Sequence, residues 1–172
     1  MKKKKSVDKI FLKLNNITDA YSDYSTNEHI TIKEDFHEHI MNLADDKSIK
    51  NNVEINIHLS NHATLEEKQT LATAIKSYSK YKIQDIANRI RLYCMIAFLL
   101  TCAGVGLSLI YFFANITNIV VEFFLEIGTW VFIWELVDIL SFQIPSIKFK
   151  SYLYKRIVNS KINFIQDSNK EI

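Results

Sequence analysis

The spacing of apolar positions changes character several times along this chain. Val7, Ile10, Phe11, Leu14, Ile17, Tyr21 and Tyr24 recur at intervals of three and four, which predicts an amphipathic helix over 6–24. HITI at 29–32 suggests a short strand, and Phe36, Ile40, Leu43 and Ala44 lie on one helical stripe over 34–44. In VEINIHLS, Val53, Ile55, Ile57 and Leu59 alternate with Glu54, Asn56 and His58, the mark of a strand with one buried face. Thr64 and Glu67 have the spacing of a capping box, which opens a helix that no Gly or Pro interrupts before the apolar region beyond it. Near the C-terminus KINFIQ at 161–166 alternates again, and because an isolated strand is unstable, its predicted partner is the strand at 53–60.

The region 92–142 contains no Lys or Arg. A helix spans the hydrocarbon core with roughly 20 apolar residues, and 92–113 supplies that length without a charge. A polar break at Asn115, Thr117 and Asn118 separates it from a second apolar segment, 119–142, that carries Glu122, Glu126, Glu135 and Asp138. The expected fold class is therefore a membrane α+β protein. A two-helix transmembrane hairpin (92–113 and 119–142, external tip 114–118) joins a small cytosolic α+β domain built from both ends of the chain, 1–91 and 143–172.

Net charge is only +2, so the placement of charge says more than its sum. Lys76, Lys80, Lys82, Arg89 and Arg91 precede the apolar region, and Lys148, Lys150, Lys155, Arg156 and Lys161 follow it. By the positive-inside bias, these flanks predict a multi-pass protein of the cell membrane with both termini cytoplasmic. The start MKKKKS lacks a following apolar core, so no cleaved signal is expected. KFKSYLYKR, with Tyr152 and Tyr154, suits a membrane interface, and this explains its composition more simply than nucleic acid does. No nucleic-acid partner is expected; the lipid bilayer is.

Candidate chemistry is sparse. Within the second apolar segment, Glu126, Glu135 and Asp138 are costly in a bilayer, roughly 2.5–3.5 kcal/mol each at its centre. Glu135 and Asp138, one turn apart, form either a proton or cation site between helices or boundary acids paired with Arg89, Arg91 or Lys148, whereas Glu126, one turn from Glu122, faces the opposite interface. Ala97, Thr101, Gly104 and Ser108 make a seam of small side chains where another helix, from this chain or an identical subunit, approaches closely. The five histidines, His29, His37, His39, His58 and His62, read mainly as solvated side chains, with no metal-ligand spacing. Cys94 and Cys102 fall within the first crossing with no disulfide role. Neither a nucleotide-binding nor a catalytic motif is present, so no cofactor, metal or catalytic residue is assigned.

IHLS at 57–60, SYSKYKIQD in the long helix, the uncharged crossing and GTWVFIWELVD together resemble a widespread group of uncharacterised bacterial two-pass membrane proteins over 53–165. In that group a Gly-Trp start and an acidic pair mark the second crossing, matched here by Gly128, Trp130, Glu135 and Asp138. The resemblance implies topology and a bacterial source but no activity. Two functions are expected. One is a non-enzymatic membrane-anchored sensor or scaffold, in which a cytosolic protein or ligand acts through the long helix. The other is an oligomeric membrane-disrupting effector or channel of a toxin or antiphage system.

Overall fold

The computed structural model describes residues 7–26, 30–47, 51–113 and 118–166. The lysine run at 2–5, His29 and most of the expected tip at 114–118 lie outside the described residues. Contacts divide the chain into two compact units, one formed by 1–84 with 151–172 and the other by 85–150.

The first unit is a three-stranded sheet with helices on one face. Strands β1 (Val7–Leu14), β2 (Asn52–Leu59) and β3 (Lys161–Gln166) are all parallel, in the order β1-β2-β3. Helix α1 (Glu34–Asp45) connects β1 to β2, and a helical excursion of about 100 residues connects β2 to β3. Right-handed crossovers that step in one direction across a sheet lay their helices on the same side. The core follows that rule. Register aligns Ile10, Ile55 and Ile162 in one row and Leu12, Ile57 and Phe164 in the next. Against these rows pack Ile40 and Ala44 of α1, Leu71 and Ile75 of α2 (Leu65–Phe113), and Leu153 and Ile157 of α4 (Ile144–Val158).

Three expectations are corrected in this unit. The α+β class gives way to a wholly parallel sheet joined through helices. The amphipathic helix over 6–24 is instead β1 followed by a 3-10 turn, Ile17–Ala20. Ile10, Leu12 and Leu14 fit period two as well as their neighbours fit period 3.6, and pairing along the whole of β2 settles the contest. At 29–32, the described residues form only an isolated bridge between Tyr21 and Ile32. Three expectations hold: the helix over 34–44, the strand at 53–60 and the pairing of β3 with β2.

In the second unit, α2 continues to Phe113 and α3 (Ile119–Asp138) packs beside it. Asn118 starts α3 by accepting the backbone N–H groups of Val120 and Val121. Beyond Asp138 the helix widens into one π-turn, Ile139–Gln143, and resumes as α4. Pro145 lies at the start of α4 and has no N–H, and the π-turn absorbs the resulting break in the hydrogen-bond ladder.

The expected transmembrane hairpin does not stand. Among the described residues, one helix, α2, is long and apolar enough to cross a membrane. Any crossing-length stretch of α3, roughly 18 residues, holds Glu122, Glu126 and Glu135. With a single such helix, the multi-pass topology and the orientation assigned to the two termini lose their basis.

Ile57 is fully buried in the central strand. Its replacement by Ala should cost about 2–5 kcal/mol, read as faster hydrogen exchange of the β1 and β2 amides. Unchanged protection would show that this row is not the core.

Candidate functional site

The first unit holds a buried polar joint that the sequence reading did not anticipate. His37 lies on the inner stripe of α1, with Ile40, Met41 and Ala44, and is only 1% exposed. Its Nε2 lies 2.7 Å from Oγ of Ser79, a fully buried residue of α2. The Ser79 hydroxyl donates to the carbonyl of Ile75 at 2.9 Å. With that proton committed, Oγ accepts from Nε2–H, which fixes the neutral tautomer of His37. Tyr78 and Tyr154 flank the ring, at centroid distances of 4.6 and 5.4 Å. Burial, and secondarily the Lys82 ammonium, pushes the His37 pKa down to about 4.

Outside this plug, Lys82 and Glu34 form an ion pair at 2.9 Å. Their hydrogen bond holds the Glu34 carboxyl below and the Lys82 ammonium above their ordinary ranges. Lys82 also stands 5.3 Å from the centre of the Tyr78 ring. Three helices thus meet at one imidazole: α1 through His37, α2 through Tyr78 and Ser79, and α4 through Tyr154. Both members of the His-Ser pair are sealed from solvent, so the arrangement suits a structural joint better than nucleophilic chemistry. The signal was present in sequence, because His37 sits at i−3 from Ile40 on the apolar stripe. Tyr154, expected at a membrane interface, is instead partly buried in this joint.

Arg156 is the second correction. Expected among the membrane-flanking bases, it is 7% exposed and donates to the carbonyl of Ala44 at 2.8 Å and that of Asn51 at 3.3 Å. It ties α4 to Ala44 near the C-terminal end of α1 and to Asn51 at the entry to β2, the fork of the guanidinium reaching both carbonyls. Its spacing of i+3 from Leu153, beside Ile157, places it on the inner stripe of α4. Lys148, Lys150 and Lys155 remain exposed, as do Arg89 and Arg91. Arg89 pairs one turn back with Asp85 at 3.0 Å rather than with an acid of α3.

In the second unit, Ala97 and Gly104 are buried. A Cβ on Gly104 would meet Phe132 of α3 at 3.6 Å, and one on Gly128 would meet Leu107 of α2 at 3.3 Å. Thr101 and Ser108 turn their hydroxyls back to the carbonyls of Ala97 and Gly104, which hides their polarity. Thr101, Gly104 and Ser108 line a cavity of about 150 Å³ with Thr129, Phe132 and Leu136. The small-residue seam therefore faces α3 within the chain. Glu126 and Glu135 are exposed, whereas Asp138 is half-buried and accepts from Gln143. No ion pair joins these three acids to a base among the described residues, and no group of carboxylates, histidines and cysteines there is arranged to hold a metal.

Because the folded pKa of His37 lies below its unfolded value near 6.5, the unfolded chain binds more protons between pH 6.5 and 4. Stability from this group should be complete above pH 6.5 and lost as pH falls toward 4, by up to about 3 kcal/mol. Glu34, Lys82, Tyr78 and Tyr154 surround the ring; the Lys82 ammonium holds Glu34 below its ordinary range, while Lys82 and both tyrosines are held above theirs. Denaturation midpoints of wild type and His37→Gln across pH 4–7 test this. The variant should lose the slope, and an equal slope in both would assign it elsewhere.

No family model, curated protein or solved structure matches this chain.

Proposed function

We propose that this protein is a non-enzymatic membrane-anchored sensor or scaffold, with α2 as both the anchor and the link to the α/β unit. One observation carries the reading: α2 is a single helix of 49 residues with two different surroundings. Its first part is built into the α/β core through Leu71, Ile75 and Ser79. Its apolar stretch is only 6% buried, so it is not the core helix of a soluble domain. Phe98, Leu99, Phe112 and Phe113 are each more than half exposed, and a lipid environment accounts for them without any further protein surface.

Lys76, Lys80, Lys82, Arg89 and Arg91 ahead of Leu92 support a membrane boundary close to the start of the apolar stretch. In such an arrangement a partner or ligand that shifts the joint at His37 moves α2 at Ser79, and a continuous helix carries that shift along its axis. No sequence motif, and no exposed catalytic constellation among the described residues, favours an enzyme. The effector reading drew its support from a self-associating seam, and α3 occupies that seam within the chain.

Cys94 and Cys102 are the only cysteines, and both are exposed on the isolated chain. In intact membranes a water-soluble maleimide should leave Cys102 unmodified and react with it once the bilayer is dissolved. Equal labelling before and after solubilisation would sink the anchoring role. Ala87→Pro removes a ladder hydrogen bond and adds a clash, at about 3 kcal/mol. It should leave the protein in the membrane fraction while accelerating exchange of the α2 amides around position 87.

A further inference from the structure

Topology leaves one face of the sheet without a helix among the described residues. Helices α1, α2 and α4 all pack against the rows of Ile10 with Ile55 and of Leu12 with Ile57. Parallel sheets are nearly always covered on both faces, so an open one calls for an explanation. Its residues are not an orphaned core. Lys9 and Lys13 flank Phe11 on β1, and Lys161 aligns with Lys9 across β2. The one carboxylate in these three rows, Glu54, already accepts from the Asn163 amide.

Phe11 is 59% exposed in the middle of this polar face, and the His58 ring lies 6.1 Å away, tilted by 40°. Between the lysines, Asn56 and Asn163 share a row with Phe11 and are bonded to each other at 3.0 Å. Strand geometry creates this surface, because a helix over the same residues would point Phe11 away from Lys9 and Lys13.

We propose that the helix-free face binds single-stranded nucleic acid. A base stacks on Phe11 beside His58, and the lysines meet the flanking phosphates. A second copy of the chain fits poorly, because two such faces are alike in charge. An anionic lipid surface would use the lysines and leaves the Phe11–His58 ring pair unexplained. This proposal stands independently of the anchoring role of α2.

The test uses the full chain in neutral detergent and a fluorescent single-stranded RNA of about 12 nucleotides, followed by anisotropy over a salt series starting near about 50 mM. Wild type should bind with strong salt dependence. Phe11→Ala should weaken binding roughly 5-fold or more and Phe11→Trp should preserve it. Lys9→Ala with Lys13→Ala should reduce the slope of log affinity against log salt by about 1.4. Phe11 is exposed, so matched circular dichroism will confirm that its variants fold. Absence of wild-type binding would overturn the proposal, as would binding indifferent to Phe11→Ala. Loss of attachment to phosphatidylglycerol-containing nanodiscs in the lysine variant, with no RNA bound by wild type, would overturn it in favour of lipid.

Discussion

The parallel pairing of β3 with β2 is the constraint from which the rest of the architecture follows. Ile55 meets Ile162 and Ile57 meets Phe164, so a chain that leaves the sheet at Leu59 returns to the same strand at Lys161. Closing an excursion that long costs chain entropy, although the cost grows only with the logarithm of its length. Contacts at the return offset it. Leu153 and Ile157 bury against the sheet, Arg156 satisfies the carbonyls of Ala44 and Asn51, and Lys68 of α2 donates to Gln166 of β3 at 3.0 Å. Removing the guanidinium would take a charged donor from both carbonyls and leave Ala44 with backbone donors such as the Lys47 N–H at 3.4 Å.

The same closure concentrates two kinds of surface on one chain. Within the first unit, the apolar rows are covered and polar groups are paired, down to the His37–Ser79 bond between fully buried residues. A neutral imidazole there tolerates low dielectric where a charged one would not. In the second unit the balance inverts: apolar side chains remain outward on α2, and small residues face α3. Helix α2 takes part in both, which is why its average amphipathicity means little while its two parts read clearly.

The sequence was most informative where one pattern had a single solution. Alternation in 53–60, the capping box at Thr64 and Glu67, and the absence of Gly and Pro before residue 92 led directly to β2 and to α2. Thr64 and Glu67 indeed satisfy one another's backbone groups at 2.8 and 3.2 Å. Residues 7–14 misled because eight positions rich in apolar residues satisfy both periods, and only the neighbouring strand decides between them. The second apolar segment misled because its length and composition resemble a crossing while its carboxylates do not. Arg156 and His37 were hidden by residue type: a base near a membrane segment reads as a flank and a histidine as solvated. Position on the apolar stripe, three residues from Leu153 and Ile40 respectively, was the stronger signal.

The continuity of α2 is the central claim, and a distance along it within a bilayer tests that most directly. Tyr81 and Leu99, both exposed, are 18 positions apart and thus on the same side of the helix. Spin labels at these positions, on a cysteine-free background reconstituted in liposomes, should give one narrow distance near about 27 Å. A broad distribution, or a clearly shorter distance, would mean that the helix breaks between these positions and would contradict its continuity.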